Sequence, residues 1–176
     1  MPEGVSIRAA QSADAASLAE FARLTYTQAF GHSFRPDDLA AHLERSLTLR
    51  EVERFVAEDC VLIALAGGQI VGYVQFGDAR AIPPEMQSDS AQELRRLYVD
   101  PAMQRRGVGA SLMDAALAHR SMKRAARIFL EVWEHNDGAQ RFYARYGFKV
   151  VGVRAFAVAS GAETSHELLM ARTGSG

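Results

Sequence analysis

The fold of this chain is decided by the stretch Gln104-Arg105-Arg106-Gly107-Val108-Gly109. The stretch lies between a strand-like segment, Glu93 to Val99, and a helix-like segment from Val108 to about Ser121. A strand that turns through glycines into a helix directs unpaired backbone N–H groups and the positive end of the helix dipole at one point. Because the two arginines add charge at that point, the sequence predicts an anion site, most naturally for a pyrophosphate.

Length and charge limit the class of protein. The chain has 176 residues, of which 48% are hydrophobic and 23% are charged. These values predict one globular domain over residues 1–172, with residues 173–176 as a flexible tail. The 20 basic and 21 acidic residues give a net charge of −1, whereas nucleic-acid-binding surfaces usually carry a strong basic excess. We therefore expect no nucleic-acid partner.

The apolar runs and the start of the chain predict neither a membrane span nor export. No apolar run approaches the ~18 residues of a membrane helix, and Met1 to Gly4 lack the character of a signal peptide. The single cysteine, Cys60, excludes an intramolecular disulfide and fits a reducing cytoplasm. We expect no metal, because the histidines show no metal-ligand spacing.

Strand-like and helix-like segments alternate in a way that predicts a mixed α/β fold. Helical segments near the start precede an apolar run from Cys60 to Leu65, the turn Gly67-Gly68 and a resumed strand. Two further strands close the chain around a turn near Gly161. This order predicts a single domain with a central, mostly antiparallel sheet and helices on both faces.

The strand before the glycine turn does not keep a period of two. Leu94 and Leu97 are three residues apart, and one extra residue near Arg95-Arg96, a β-bulge, would reconcile them. A bulge would splay this strand from the next one, Ile128 to Trp133. The sheet is therefore expected to be splayed at its middle, where exposed backbone groups would suit a linear, amide-bearing ligand.

Four segments in order resemble the GNAT superfamily of acyl-CoA-dependent N-acetyltransferases. They cover roughly residues 90–150: Glu93-Leu-Arg-Arg-Leu-Tyr-Val-Asp-Pro101, Gln104-Arg-Arg-Gly-Val-Gly109, Asn136-Asp-Gly-Ala-Gln-Arg-Phe-Tyr143 and Tyr146-Gly-Phe148. The resemblance implies acetyl-CoA as the acyl donor and an amine as the acceptor.

Within that superfamily the chain looks most like bacterial spermine/spermidine N-acetyltransferases. The matching residues are Phe30-Gly31-His32, Val132-Trp133-Glu134 leading into Asn136, and the tail from Glu163 to Met170. Those enzymes tend to be acidic along the strand before the glycine turn, whereas this chain carries Arg95 and Arg96 there.

The resemblance assigns residues to the donor. It implies that the glycine turn cradles the pyrophosphate of coenzyme A, where glycines let the backbone approach without a Cβ. It also implies that backbone groups before the turn bind the pantetheine arm. Asn136 is expected either to contact the pantetheine amide or only to cap a helix. The donor-binding set is Leu97, Tyr98, Val99, Gln104, Arg105, Arg106, Gly107, Val108, Gly109, Ala110, Asn136 and Tyr143.

Tyr143 is the candidate catalytic acid. It follows Asn136 by seven residues, about two helical turns, so both side chains can face one cleft. Attack of an amine on a thioester expels a thiolate, and a phenol with a pKa of about 10 can supply its proton. The alternative is an aromatic packing residue like Phe142.

Glu93 is the candidate base. A primary amine with a pKa of about 10 is mostly protonated at pH 7, so a carboxylate, acting through water, would help to remove its proton. The alternative is a solvated carboxylate paired with an arginine. His32 and Glu134 are lesser candidates for the same role.

The acceptor is expected to bind near Phe30, His32, Tyr73 and Glu134, with the loop from Asp78 to Ser90 close by. Polyamines and other small amines come first, and amino-acid, antibiotic and peptide amines are alternatives. Direct attack in a ternary complex is favoured, because Cys60 opens an apolar strand with no histidine near it in sequence.

Two other functional classes compete with an acetyltransferase. A non-catalytic acyl-CoA-binding module on the same fold would not need Tyr143 and Glu93. A dinucleotide-binding oxidoreductase is disfavoured, because its fingerprint needs three glycines in an early strand–helix turn and an acidic residue after it. Assembly as a homodimer is left open.

Overall fold

The computed structural model of the chain describes residues 2–32, 35–80, 82–83, 86, 90–157 and 164–174. The turn expected near Gly161 and part of the loop from Asp78 to Ser90 lie outside these residues. The strands are β1 (Val5–Ala9), β2 (Cys60–Ala66), β3 (Gln69–Asp78), β4 (Ala91–Val99), β5 (Arg127–Trp133), β6 (Lys149–Ala157) and β7 (Thr164–Thr173). The α-helices are α1 (Ala15–Phe30), α2 (Pro36–Ser46), α3 (Leu49–Glu58), α4 (Val108–Ala118), α5 (Arg120–Arg124) and α6 (Asp137–Arg145).

The chain forms two compact units. The first comprises Met1–Phe76 and Arg96–Ala118, and the second comprises Gly77–Arg95 and His119–Gly176. Strand β4 contributes its first half to the second unit and its second half to the first. The glycine turn therefore belongs to the first unit, and α6 belongs to the second.

An antiparallel sheet forms the frame of the first unit. β1 pairs with β2, and β2 pairs with β3 through the expected hairpin. Gly67 and Gly68 occupy that turn with φ of 57° and 83°, a backbone region that favours glycine.

One face of this sheet carries the larger core of the first unit. Helices α1 and α3 bury Leu18, Val52 and Phe55 against Ile63 and Tyr73 of the strands. In α1 the buried stripe follows the 3–4 residue spacing of a helix through Leu18, Phe21, Ala22 and Thr25.

Leu24 of α1 lies outside this buried stripe and is 55% exposed. It follows Leu18 by six residues, which advance a helix by about 600°, so its side chain lies about 120° around the helix from that of Leu18.

The opposite face of the first unit carries α4, and Gly72 of β3 makes the close approach possible. A Cβ at Gly72 would lie 3.0 Å from Leu112 Cδ1, 3.1 Å from the carbonyl oxygen of Tyr98 and 3.4 Å from Val108 Cγ1. The absent side chain lets the first turns of α4 sit against the sheet beside the backbone of β4. Helices therefore cover both faces of this unit, as expected.

Replacing Gly72 by alanine is expected to destabilise the protein by about 1–3 kcal/mol, because the added methyl group overpacks a site bounded partly by backbone. The midpoint of denaturant unfolding measures this loss. Gly152→Ala is the matched control, since its Cβ would meet only Leu169 atoms at 3.8 Å. Equal effects of the two substitutions would contradict the close approach at Gly72.

The second unit is built on strands β4, β5, β7 and β6, in that order. β4 and β5 pair in parallel over three residues, Ala91–Glu93 with Arg127–Phe129, whereas the β5–β7 and β6–β7 pairs are antiparallel. The splaying of β4 from β5 and the bulge near Arg95-Arg96 stay predictions.

A helix break after Ala118 also differs from the expectation. One helix was predicted from Val108 to about Ser121, but α4 ends at Ala118 and α5 begins at Arg120. His119 adopts an extended backbone, and its Nδ1 accepts a hydrogen bond from Ser121 N at 3.3 Å, so it caps α5.

None of the described helices is long and apolar enough to cross a bilayer.

Candidate functional site

The glycine turn has an unusual backbone. Pro101–Met103 form a short 3-10 turn after β4, and Gln104 then donates from Nε2 to the carbonyl oxygen of Val99 at 3.2 Å. Arg105 has φ of 60° and Gly107 has φ of 88°, the left-handed region that suits glycine and is uncommon for arginine. These left-handed residues make a tight turn before α4 begins, and successive backbone N–H groups in such a turn can form a concave site for a phosphate.

The start of α4 suits an anion. Gln104 to Gly107 are exposed, Val108 is buried as the first helical residue, and the first turn of α4 contains no acidic side chain. The first N–H groups of a helix have no acceptor within it and carry the positive end of its dipole. With Arg105 and Arg106 beside them, these groups fit the pyrophosphate of coenzyme A.

The residues before and after the turn belong to regular elements of the first unit. Leu97, Tyr98 and Val99 are half-buried in β4, and the Tyr98 ring stacks on Tyr73 with centroids 5.8 Å apart. Gly109 and Ala110 follow in the first turn of α4, both half-buried. The first unit thus brings together every donor-binding residue expected in β4, the turn and α4.

Asn136 caps α6 in the second unit. Its Oδ1 accepts a hydrogen bond from Ala139 N at 3.1 Å. The capping alternative is therefore observed. The Nδ2 group has no hydrogen-bond partner among the described residues, so an amide carbonyl of a ligand can still accept from it.

Tyr143 lies two turns later in α6 and is 8% exposed. Its ring packs edge-on against Phe142 and Phe148, with centroids 5.5 and 6.0 Å away. Burial raises the pKa of the phenol, and the described residues supply no hydrogen bond to its hydroxyl. The hydroxyl therefore keeps its proton at neutral pH, available to a group that develops negative charge.

Glu93 is held by its neighbours in the second unit. Its side chain is 16% exposed, its Oε2 accepts from Arg80 N at 3.1 Å, and Arg95 Nη2 lies 3.7 Å from the same oxygen. The structural alternative weighed for Glu93 was a solvated carboxylate paired with an arginine. The pairing is observed, but the carboxylate is largely buried.

The expected acceptor-binding residues of the first unit have different surroundings. Phe30 ends α1 with its ring 4.9 Å from that of Tyr26, and His32 follows it on the surface. Tyr73 is fully buried against Phe21 and Tyr98. Contact between Tyr73 and an acceptor would require these rings to move, because β3 places Tyr73 beneath α1 and α3.

Glu134 is hydrogen-bonded to His166 of β7. Its Oε1 accepts from the backbone N of His166 at 2.8 Å and lies 3.0 Å from His166 Nδ1. Burial acts to raise the pKa of the carboxyl, but the hydrogen bonds from His166 outweigh it, so the net shift is downward. This arrangement favours a structural link for Glu134 over direct binding of an acceptor.

Glu131 is a functional candidate that sequence reasoning missed. It lies in β5 on the face of Phe129, with its side chain 24% exposed and Arg154 Nη1 2.9 Å from its Oε1. Burial and the nearby carboxylates of Glu167 and Glu93 raise its pKa to about 7, against the opposing effect of Arg154. The available signal was a carboxylate flanked by apolar residues on both sides in β5.

Glu131→Gln is expected to stabilise the protein at pH 8 but not at pH 4.5. The unfolded chain ionises this carboxyl near 4.5 and the folded protein only near 7, so folding loses stability as pH rises between these values. Because the side chain is partly solvated, we expect a gain of about 1 kcal/mol, or about 2–4 °C in Tm. Thermal unfolding between pH 4.5 and 8 measures it.

Glu53→Gln, on the exposed side of α3, is the control for that experiment. It removes the same charge and is expected to leave the pH profile of stability unchanged. A wild-type profile that is flat between pH 5 and 7 would contradict the raised pKa of Glu131.

Each unit thus gathers part of the predicted site. The first holds the glycine turn, the backbone of Leu97–Val99 and the aromatic residues near Phe30. The second holds Asn136 and Tyr143 on α6, and Glu93 with Glu131 on neighbouring strands. No group of three or more His, Cys, Asp or Glu side chains in the described residues is placed to hold a metal ion.

Comparison with known proteins identifies a relative that covers most of the chain and others that cover part of it. An uncharacterised N-acetyltransferase of Mycobacterium tuberculosis is 32% identical over 163 residues, which cover 90% of this chain and 97% of the relative. The spermine/spermidine N(1)-acetyltransferase of Bacillus subtilis is 30% identical over 89 residues, but this match covers 48% of this chain and 56% of that enzyme.

The fold is shared with solved structures. The PaiA N-acetyltransferase of Thermoplasma acidophilum, solved in complex with coenzyme A, matches with a TM-score of 0.76 at 18% identity. The match covers 96% of this chain and 98% of that one. It confirms the mixed α/β fold with a mostly antiparallel sheet.

A family model settles the wider membership. The model described as "Acetyltransferase (GNAT) family" matches residues 18–148, which include most of α1, the glycine turn and all of α6. Together with the mycobacterial relative, this match confirms the enzyme class that the four sequence segments predicted. The chain belongs to the acetyltransferase (GNAT) family.

Proposed function

We propose that this protein transfers the acetyl group of acetyl-CoA to the primary amine of a small molecule, by direct attack within a ternary complex. The observation that carries the proposal is the left-handed turn at Arg105 and Gly107 before α4. Membership of an acetyltransferase family supports acetyl-CoA as the donor. When bound, the donor supplies the reactive thioester.

Different residues of the chain bind different parts of the donor. The turn from Gln104 to Ala110 binds the pyrophosphate through backbone N–H groups and two arginines. The backbone of Leu97–Val99 and the free amide N–H groups of Asn136 bind the pantetheine arm. Direct attack is favoured over an acyl-enzyme because Cys60 is half-buried where β2 begins.

Tyr143 handles the leaving group. Its raised pKa makes complete proton transfer to a free thiolate unfavourable in the ground state. A hydrogen bond from the hydroxyl to sulfur strengthens as negative charge develops there, and stabilisation of that kind lowers the barrier. The departing thiolate then takes up a proton while the amine nitrogen loses one, so that the amide and the free thiol form with no net gain or loss of protons.

Glu93 is the proposed base, and Glu131 is a second candidate for the same role. Both carboxylates favour a cationic amine nearby, and a pKa of about 7 suits Glu131 to proton acceptance at neutral pH. Glu93 is favoured because it has a backbone hydrogen bond from Arg80 that fixes its position.

Glu93→Gln is expected to lower kcat/KM about 10- to 100-fold at pH 7, with a smaller loss near pH 10, where the amine has lost its proton in solution. The pH dependence of kcat/KM for both E93Q and E131Q decides between the candidates. If the acid limb survives in E93Q and disappears in E131Q, the base is Glu131.

Thiol release from acetyl-CoA tests the proposed function across polyamines, amino acids, aminoglycosides and peptides with free N-termini. Polyamines were the first class expected from the sequence, and the other amines are the alternatives. A non-catalytic acyl-CoA-binding module would instead show thermal stabilisation by acetyl-CoA and no thiol release with any amine. Size-exclusion chromatography with light scattering tests a homodimer.

A further inference from the structure

Arg96 carries a positive charge that no carboxylate among the described residues pairs with directly. Its Nη1 donates to Gln75 Oε1 at 2.6 Å, and its Cζ lies 5.4 Å from the centroid of the Phe55 ring. Arginine has five N–H donors in a planar fork, so further donors remain for another acceptor. The residue is half-buried in the first unit, where an unpaired charge is costly.

A buried side chain fixes the position of Arg96. Gln75 is 2% exposed, and its Nε2 donates to Asp59 Oδ2 at 2.6 Å while its Oε1 accepts from Arg96. The amide therefore stands between the guanidinium and the nearest carboxylate in this chain of hydrogen bonds. Gln75 orients the arginine without neutralising it.

No carboxylate among the described neighbours of Arg96 is bound to its guanidinium directly. Tyr73 has a fully buried hydroxyl with no hydrogen-bond partner in the described residues. The charge of Arg96 acts on that hydroxyl, lowering its pKa against the larger, opposite effect of burial. Glu51, whose pKa Arg96 also lowers weakly, is already bound to Arg54.

His42 adds no negative charge and little positive charge. Its ring stacks on Tyr26 with centroids 4.4 Å apart, and burial, with smaller effects of Arg45 and Arg96, lowers its pKa. The imidazole is thus neutral at pH 7. Arg96 lies among aromatic side chains, where its field is weakly screened and a negative group would be attracted.

The position of Arg96 in β4 relates it to the donor. It directly precedes Leu97–Val99, whose backbone is proposed to bind the pantetheine arm. Successive residues of a strand are about 3.3 Å apart. A group bound to Arg96 therefore lies within the length of one small molecule from the proposed pantetheine site.

We propose that Arg96 binds a carboxylate of the acceptor, so that the acceptor is an amino acid rather than a polyamine. The inference rests on the proposed function, because it assigns a partner to the same reaction. A planar guanidinium fork matches a carboxylate in two parallel hydrogen bonds. A polyamine offers Arg96 only like charges.

Matched amines test the proposal. We compare kcat/KM for leucine with 3-methylbutylamine and for phenylalanine with 2-phenylethylamine, each pair differing by one carboxylate, and we include spermidine. The wild-type protein is expected to favour at least one acid over its partner by 10-fold or more. In Arg96→Gln this ratio falls about 10- to 100-fold, and Arg96→Lys keeps part of it.

The ratio within a pair separates recognition from folding, because a merely destabilised enzyme loses both substrates equally. It also cancels differences in the basicity of the amines when variants are compared. Arg50→Gln, an exposed arginine of α3, is the matched control and leaves the ratio unchanged. If the wild type prefers spermidine or the decarboxylated amines, the proposal is wrong while the acetyltransferase function stands.

A binding measurement keeps the test independent of turnover. With coenzyme A present, N-acetylleucine is expected to raise the Tm of the wild type more than N-acetyl-3-methylbutylamine does, and Arg96→Gln abolishes the difference. If no amine is acetylated, the proposed function fails, and this comparison still decides whether Arg96 binds carboxylate. Equal shifts in the wild type would overturn the inference.

Discussion

Replacing Tyr143 by phenylalanine is expected to lower kcat about 100-fold while leaving the KM for acetyl-CoA nearly unchanged. The substitution removes only a hydroxyl that has no hydrogen bond within the described residues, and the ring contacts with Phe142 and Phe148 remain. Loss of a positioned proton donor costs about 10²–10⁴-fold in rate. Steady-state kinetics with saturating acceptor measures the effect.

Tyr146→Phe is the control for that experiment. It removes a hydroxyl one turn further along the same chain segment, at the C-cap of α6, and is expected to leave kcat unchanged. Both variants should unfold within about 0.5 kcal/mol of the wild type, since neither hydroxyl removal opens a cavity. A kcat unchanged in Tyr143→Phe would leave the residue with a packing role only.

The double variant Arg105→Ala, Arg106→Ala is expected to raise the KM for acetyl-CoA about 10- to 50-fold with little change in kcat. Both side chains are exposed at the proposed pyrophosphate site, and charge-assisted hydrogen bonds to phosphate are stronger than neutral ones. These contacts exist equally before and during the reaction, so their loss weakens binding rather than chemistry. Alanine has a Cβ as arginine does, so the substitution at position 105 is not expected to change the cost of the backbone φ of 60°.

Salt dependence supplies a second readout for the same variant. Raising ionic strength screens exposed charges, so the KM of the wild type should rise with salt more steeply than that of the double variant. Lys123→Ala, Arg124→Ala removes two exposed charges from α5 and should behave like the wild type. If the two double variants have the same KM for acetyl-CoA, the arginines of the turn do not bind phosphate.

Binding of the donor and reaction with it are thus assigned to different residues, the arginines of the turn and Tyr143. The turn acts through backbone and charge that are fixed before the donor arrives, whereas the phenol acts on charge that appears only during the reaction. The expected KM effect and the expected kcat effect therefore fall on different residues.

Local sequence patterns correctly predicted the features whose physical cause lies within a few residues along the chain. Glycine spacing predicted the hairpin at Gly67-Gly68 and the turn at Gly107, because positive φ is a property of one residue and its neighbours. The seven-residue spacing placed Asn136 and Tyr143 on one helix for the same reason. His119 was misread because apolar periodicity does not reveal a cap made by an imidazole nitrogen.

Sequence by itself determined the family, the mixed α/β fold and the kind of ligand expected at the glycine turn, since each depends on residue type and spacing along the chain. Only the tertiary structure decided the surroundings of Gly72, Glu131 and Arg96. Gly72 depends on how closely α4 approaches β3, and the pKa of Glu131 depends on carboxylates brought by other strands. Arg96 is held by a hydrogen bond to a glutamine 21 residues earlier in the chain. Burial and the charges of residues distant in sequence cannot be predicted from local sequence, because they depend on how the chain folds.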